Sequence, residues 1–327
     1  MPTSEPAVQL GYWLSSEEHD PRDLVQHARA AERAGFATAM ISDHLQPWVP
    51  HQGQSSHVWT AIGAIVQATD ALRVGTGVTA MIHRGHPVDI AHAMATAAVM
   101  SGDRVFLGVG TGERLNEQAT GQRWPPIGER RDQLEEAVDL IRQLWSGEQV
   151  NHRGECWTTE HIRLWTRPAT APPILVAASG RRSAALAGRI GDGLIGVTPD
   201  RTTVEVFRGS GGAGKTCVAQ LHVSLAGTMD AAVDQAWEWW PNGVIPPAVL
   251  TELSRPEEFE AIAVAVGRDR ITDAVVCAVD AAPIVAAIDR FVGAGYDTVY
   301  LHQVGPDQDR LIRLAGEELL ASVGARS

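Results

Sequence analysis

Residues 8–42, VQLGYWLSSEEHDPRDLVQHARAAERAGFATAMIS, contain two short apolar runs separated by a helical pattern. The runs Val8–Trp13 and Thr38–Ser42 have the length and composition of buried strands. Between them, Pro21–Ala34 places apolar residues at helical spacing, and Gly35 follows as a helix terminator. This order predicts a strand–helix–strand unit, in which a helix joins two parallel strands.

The same alternation continues along the chain. Six more apolar runs predict strands at Arg73–Val78, Arg104–Val109, Ile174–Ala178, Gly193–Val197, Val218–Leu225 and Thr298–His302. Further helices are predicted at Val58–Thr69, Pro87–Met100, Gln133–Trp145 and Ser183–Ile190. Eight strands alternating with helices predict an α/β fold, a closed (β/α)8 TIM barrel, and the alternative is an open doubly wound parallel sheet.

Two segments depart from this repeat. Gly147–Pro173 predicts an insertion with short strands before the fifth barrel strand, and Thr228–Asp273 predicts a mostly helical insertion between the seventh and eighth strands. Neither segment is rich enough in Gly, Ser or Pro to be a linker between domains. We therefore expect residues 1–327 to form a single domain.

The composition of the 327-residue chain argues against several classes of protein. Lys and Arg number 27 against 39 Asp and Glu, and the resulting charge of −12 disfavours a nucleic-acid or anionic-membrane surface. The cysteines, Cys156, Cys217 and Cys277, form no CxxC pair, so neither a disulfide framework nor a zinc ribbon is expected. The N-terminus has no signal-peptide pattern, and no apolar run is long enough for a membrane helix. These features predict a cytoplasmic protein.

Polar side chains gather where the predicted strands end, and in a TIM barrel that face carries the active site. The residues that follow strands one, two and four include Glu17, Asp43, His44, Trp48 and Glu113. An imidazole is a natural base for a hydroxyl proton, and a carboxylate stabilises the imidazolium that forms. Taken alone, Asp43-His44 also fits a helix cap beside a surface histidine, and Trp48 alone suggests core packing. Together, these residues predict proton abstraction at this face.

Residues 209–216, GSGGAGKT, match the phosphate-binding pattern G-x-x-x-x-G-K-[ST] letter for letter. A P-loop needs a strand before it and a helix after it. Here the helical pattern Thr202–Arg208 precedes the motif, and the β run CVAQLHVSL follows it. We therefore interpret the motif as a flexible turn. The histidines lack metal-ligand spacing, so no metal is expected.

Several motifs resemble those of the luciferase-like (β/α)8 family, which uses reduced flavin or deazaflavin, and within it the coenzyme F420-dependent glucose-6-phosphate dehydrogenase group. The matching runs are GYWLSSEE (11–18), SDHLQPW (42–48), GTGV (75–78), RVFLGVGTGERLNE (104–117), QLWSGEQV (143–150) and AGRIGDGLI (187–195). The C-terminal third matches more loosely. The resemblance implies a homodimeric enzyme that oxidises a hydroxyl group by hydride transfer to C5 of coenzyme F420.

The resemblance also implies a role for each matching position. His44 would be the base that takes the hydroxyl proton, and Glu113 would hold a proton near N1 of the deazaflavin. Trp48 and Glu17 would line the pocket beside the reacting carbon. A non-prolyl cis peptide is expected at Gly77-Val78. The cofactor would be bound by Asp43, Gly77, Val78, Thr79, Val109, Gly110, Asn116, Ser179 and Gly180.

The positions that would hold a substrate phosphate depart from the group's pattern of two lysines and an arginine. The first lysine aligns with Asp200, the arginine aligns near Ala274, and Lys215 is the only lysine of the chain. Arginine is no simple replacement for lysine at such a site. We therefore expect an unphosphorylated sugar or secondary alcohol, contacted by Thr198 and Arg201.

Three other functions fit part of the pattern. One is an FMN-dependent luciferase-like monooxygenase, which would need reduced flavin from a partner reductase. Another is a deazaflavin carrier without catalytic activity, and the third is a P-loop NTPase. Within the dehydrogenase hypothesis the physiological direction stays open, because the same residues serve oxidation and reduction.

Overall fold

The computed structural model describes residues 8–324, and eight parallel strands form its centre. The strands are β1 Gln9–Leu14, β2 Thr38–Ile41, β3 Arg73–Thr76, β4 Val105–Gly110, β5 Ile174–Ala177, β6 Gly193–Gly196, β7 Thr216–Leu225 and β8 Thr298–Gln303. Each strand pairs in parallel with the next one along the chain, and β8 pairs with β1. The predicted (β/α)8 barrel is therefore confirmed, and the open sheet is wrong because the strand pairing closes on itself.

Helices cover the outside of the barrel. Those that join successive strands or follow β8 are α1 Pro21–Ala34, α2 Val58–Ala68, α3 Pro87–Ser101, α4 Ile127–Trp145, α5 Arg181–Ile190, α6 Arg201–Phe207, α7 Ala281–Ala294 and α8 Gln308–Leu314. Helix α1 shows how the sequence sets the boundaries. The Asp20 side chain accepts from the backbone N–H of Arg22 at its start, and Gly35 ends it with φ 107°.

The predicted and observed boundaries differ at two informative places. Helix α4 begins at Ile127 and not at Gln133, because its charged first turns lack the apolar spacing on which the prediction depends. Strand β3 ends at Thr76, two residues before the predicted end. The expected cis peptide between Gly77 and Val78 follows it, and Thr79–Ala80 then pairs with β4.

Both predicted insertions are present. The first contains an antiparallel hairpin of Val150–Arg153 and Thr158–Ile162, so its second strand begins before the run HIRLW. The second contains helices at Met229–Trp239, Pro247–Leu250, Pro256–Val266 and Ile271–Ala274, then a short strand, Val276–Ala278, paired with β7. Short helical turns lie at Pro50–Gln52, Arg114–Glu117, Gln118–Thr120, Arg208–Gly212, Pro241–Val244, Arg268–Arg270, Ala315–Leu319 and Leu320–Gly324.

The barrel interior is a packed core that supports the face where the strands end. A Cβ atom on Gly11 would lie 2.3 Å from the Tyr300 ring, and one on Gly75 would lie 2.2 Å from the Phe106 ring. Each glycine therefore makes room for an aromatic side chain. The interior side chains are Trp13, Met40, Phe106, Leu175, Ile195, Val218 and Tyr300. A larger apolar core lies between the strands and the helices.

Residues 1–7, where the sequence shows no signal-peptide pattern, lie outside the described residues. Within residues 8–324, none of the helices combines the length and the apolar composition needed to cross a bilayer.

Candidate active site

His44 follows the carboxyl end of β2 and is buried, with its ring against the indole of Trp48 at 4.5 Å between centroids. Its Nε2 atom lies 3.6 Å from Oε1 of Glu17, which follows β1. Its Nδ1 atom lies 3.3 Å from the carbonyl oxygen of Gln46. In the imidazolium form, Nδ1–H donates to that carbonyl, and the Glu17 carboxylate faces the charge at Nε2. The arrangement suits a base that gains a proton during a reaction.

Asn116 holds the backbone around this histidine. Its Oδ1 accepts from the backbone N–H groups of Leu45 at 2.9 Å and Gln46 at 3.2 Å, which sets the orientation of the amide. Its Nδ2 then lies 3.2 Å from Nδ1 of His44. Donation from this amide favours the neutral tautomer with its proton on Nε2, whereas the Gln46 carbonyl favours the proton on Nδ1. His44 therefore has a partner for either tautomer.

Glu17 is buried and held by two hydroxyl groups. Its Oε2 accepts from Oγ of Ser15 at 3.1 Å and from Oγ of Ser42. Oγ of Ser42 in turn accepts from the backbone N–H of Ser16 at 2.8 Å. These contacts occupy one carboxylate oxygen of Glu17 and leave the other facing His44.

Asp43 is anchored by Arg84, a residue that no motif in the sequence singles out. Nη2 of Arg84 lies 3.1 Å from Oδ1 of Asp43, and its Nε lies 3.3 Å from Oε1 of the fully buried Glu117. Thr79, a predicted site residue, donates its hydroxyl to the other oxygen of Asp43 at 2.8 Å. Glu117 also accepts from the backbone N–H of His83 at 2.8 Å. No sequence spacing could connect Arg84 with Glu117, because they follow different strands.

Glu113 follows β4 and is half-buried, directly before the helical turn Arg114–Glu117. Its charge acts on the buried Arg130 of α4. Arg130 donates to the carbonyl oxygens of Thr111 at 3.3 Å and Gly112 at 3.1 Å. The arginine therefore fixes the loop that carries Glu113 to the same face of the barrel as His44.

A small apolar floor lies over the interior core at this face. Val78 and Ala177 are half-buried and pack on that core. A Cβ atom on Gly110 would lie 2.7 Å from Cγ2 of Val78, so the glycine leaves room for it. Val109, predicted to bind the cofactor, turns its side chain into the outer core, so only its backbone is available. The floor suits one face of a planar ring.

An anion-binding position lies at the edge of this floor. Ser179 is exposed, and Gly180 precedes α5 with open space where a side chain would be. Arg181 and Arg182 are exposed in the first turn of that helix. Helix N-terminal N–H groups with two guanidinium groups favour a phosphate or carboxylate. The floor and this edge together fit a deazaflavin with a phosphate-bearing tail.

The two predicted substrate contacts are not both brought to this cluster. Thr198 is exposed two residues after β6. Arg201 donates instead to the carbonyl oxygen of Gly293 at 2.5 Å. Because α7 ends shortly before β8 begins, this carbonyl lies toward the amino ends of the strands, opposite His44. The predicted substrate contact of Arg201 is therefore corrected: its guanidinium is engaged at the other end of the barrel.

The GSGGAGKT motif forms a turn between α6 and β7, as interpreted. Nζ of Lys215 donates to the carbonyl oxygens of Gly188 at 3.0 Å and Gly191 at 2.8 Å, where α5 ends. A cation at a helix C-terminus is stabilising there. The only lysine of the chain therefore has a structural partner.

The luciferase-like monooxygenase family model matches residues 7–298, so this chain belongs to that family. Within it, an F420-dependent hydroxymycolic acid dehydrogenase of Mycobacterium tuberculosis is 48% identical over 200 residues, which span 61% of this chain and 56% of that protein. An F420-dependent glucose-6-phosphate dehydrogenase of Microbacterium testaceum is 33% identical over 98% of both chains. A solved F420-dependent secondary alcohol dehydrogenase, in complex with an F420-acetone adduct, matches with TM-score 0.89 and 30% identity over 95% of this chain and 98% of that one.

Proposed function

We propose that this chain is a coenzyme F420-dependent oxidoreductase that oxidises the hydroxyl group of an unphosphorylated sugar or secondary alcohol. The observation that carries the proposal is the buried His44, with the Glu17 carboxylate 3.6 Å from its Nε2 and Trp48 against its ring. Similarity to three F420-dependent dehydrogenases, over 61%, 98% and 95% of this chain, supports the same class.

Some of these residues would bind the cofactor, and others would transfer protons. Val78, Ala177 and the backbone of Gly77 would lie under the deazaflavin ring, and the start of α5 at Gly180 would hold its phosphate. When bound, the deazaflavin supplies the hydride acceptor at C5. His44 accepts the hydroxyl proton at Nε2, and the Glu17 carboxylate stabilises the resulting charge. Glu113 would hold a proton for N1, and Asp43 would orient the ring with its carboxylate fixed by Arg84.

The absence of a phosphate on the substrate is inferred from where the cations and Asp200 lie. Asp200 accepts from the backbone N–H of Thr202 at 2.9 Å and from the Thr203 hydroxyl at 2.6 Å, so it caps α6. Lys215 and Arg201 are both bonded to main-chain carbonyl groups away from His44. Phosphate-dependent oxidation of glucose 6-phosphate at high efficiency would contradict this inference.

The first experiment is a binding titration with oxidised coenzyme F420 and separately with FMN, read by tryptophan fluorescence. The ten tryptophans of the chain provide the signal. Preference for F420, followed by loss of its absorbance with a sugar or secondary alcohol, supports the proposal. Preference for FMN would favour the monooxygenase alternative, and binding of neither would contradict both.

We also infer a cytoplasmic homodimer. All three cysteines are free, as expected in a reducing compartment. Trp165, in the first insertion, is 85% exposed, which is unusual for an indole on a surface without a partner. Light scattering of purified protein would measure the mass, and Trp165→Ser should weaken association if this insertion forms the interface.

A further inference from the structure

A buried chain of polar groups leads from His44, which follows β2, past the residues that follow β1 to His302 on the neighbouring strand β8. Beyond the 3.6 Å contact with His44, Glu17 accepts from the Ser15 hydroxyl at 3.1 Å. The same hydroxyl lies near Glu18, since it lowers the pKa of the Glu18 carboxyl against the larger effect of burial. Oε2 of Glu18 then lies 2.7 Å from Nε2 of His302, on β8. Two steps are hydrogen bonds, Ser15 with Glu17 and Glu18 with His302, and longer contacts such as those at the other two steps commonly tighten when substrate binds.

The far end of this chain is isolated from water. Glu18, His302 and Ser15 are all buried, and the second oxygen of Glu18 accepts from the backbone N–H of Gly305 at 2.7 Å. Nδ1 of His302 lies 3.1 Å from Nε2 of Gln220. Glu18, His302 and Gln220 take no part in the proton transfer proposed for His44. A carboxyl and an imidazole that share a short contact in such a place can take up or release one proton without meeting solvent.

Burial raises the pKa of Glu18 to about 7, and the nearby charge of Glu17 acts in the same direction. His19 and the Gly305 N–H act against the rise. Burial also lowers the pKa of His302, so the neutral forms of both partners are favoured. Other titratable groups surround Glu18 and its partner His302, which is on β8. They are Glu17 and His19 beside Glu18 in the chain, Tyr12 on β1 and His222 on β7.

We propose, on the basis of the proposed function, that Glu18 is the proton store of this active site. In oxidation the substrate O–H bond breaks and an N–H bond forms at Nε2 of His44. That proton passes to Glu17. The Ser15 hydroxyl, which donates to the ionised Glu17, then turns to accept this proton and gives its own proton to Glu18. Only protons move along this path. In reduction of a carbonyl group, the proton returns along the same path. Glu18 thereby takes up the proton, and His44 is neutral again before the product leaves.

The first test needs neither cofactor nor substrate. Infrared difference spectra of the wild-type protein between pH 5 and 9 should show a protonated carboxyl stretch that titrates near pH 7. Glu18→Gln should remove that band. Glu136→Gln is the matched control, because Glu136 also contacts a histidine, His152, at 2.8 Å, but on the hairpin insertion. A wild-type spectrum without the band, or a band that persists in Glu18→Gln, overturns the proposal.

The second test measures single-turnover rates in both directions, with propan-2-ol and F420 or with acetone and reduced F420. At pH 8 wild-type Glu18 is mostly ionised and can accept a proton, so Glu18→Gln should slow oxidation about 10-fold and reduction little. At pH 6 Glu18 is mostly protonated and can donate a proton, so Glu18→Gln should slow reduction about 10-fold and oxidation little. A merely structural defect would lower the oxidation rate and the reduction rate by the same factor at both pH values.

Ser15→Ala interrupts the path without removing a charge. It should reproduce the pH-dependent asymmetry of Glu18→Gln while it keeps the infrared band, and Glu136→Gln should match the wild type in both tests. Wild-type-like rates in both Ser15→Ala and Glu18→Gln would overturn the proposal even if the band is present. If the wild type neither binds F420 nor oxidises an alcohol, the proposed function fails, and the infrared titration still decides whether Glu18 stores a proton.

Discussion

Arg84→Met is expected to destabilise the fold markedly. Within residues 8–324, Arg84 is the only cation within ion-pair distance of the buried carboxylates of Asp43 and Glu117, and the substitution removes it. The guanidinium lies 3.1 Å from Asp43 and 3.3 Å from Glu117, and Glu117 is completely buried. Methionine keeps most of the apolar stem of arginine, so the loss is mainly one of charge. Breaking a buried ion pair by removal of one partner typically costs about 3–5 kcal/mol.

The structure places this cost at the lower end of that range. Glu117 keeps its bonds from the backbone N–H groups of His83 and Arg84, and Asp43 keeps the Thr79 hydroxyl. We therefore expect a loss of about 3 kcal/mol in the free energy of unfolding at pH 7, measured by urea unfolding with tryptophan fluorescence. Addition of Glu117→Gln to Arg84→Met should recover part of the loss, because it removes one of the unpaired charges.

Arg142→Met is the matched control. Arg142 contacts Asp192 at 3.0 Å, but the two side chains are 37% and 47% exposed. Exposed ion pairs contribute about 0–1 kcal/mol, so this variant should be close to the wild type. If Arg84→Met loses no more than Arg142→Met, the reasoning that Arg84 compensates two buried charges is refuted.

His44→Ala should leave F420 affinity within severalfold but lower turnover by about 10²–10⁴, the usual contribution of a general base, and intact turnover in a steady-state assay would mean that another group takes the proton. Glu113→Gln should slow F420 reduction in stopped-flow measurements, and an unchanged rate would leave Glu113 with a structural role only. Burial lowers the pKa of His19 to about 4 from 6.5, so the unfolded chain binds a proton that the folded state does not, and stability falls as pH drops from about 6.5 to 4. His19→Gln should remove up to about 1.4 kcal/mol per pH unit of that slope, and an unchanged slope in urea unfolding series would show that His19 is not its source.

The sequence by itself determined the barrel and the residues that gather at the face where its strands end. Alternating apolar runs and helical patterns specify eight parallel strands, and each strand end places its following residues at one face. His44, Glu17, Trp48 and Glu113 could therefore be named from position along the chain. The cis peptide at Gly77-Val78 was expected from the resemblance of the surrounding motif, and the structure contains it.

Only the tertiary structure decided how these residues are partnered. Arg84 meets Asp43 and Glu117 because loops after different strands converge, and sequence spacing carries no information about that convergence. Arg201, placed near the substrate by its position after β6, bonds to a carbonyl at the other end of the barrel. The contact between Glu18 and His302 joins β1 to β8 across nearly the whole length of the chain. Closure of the barrel brings such distant segments together, and burial then changes the protonation of the groups that meet.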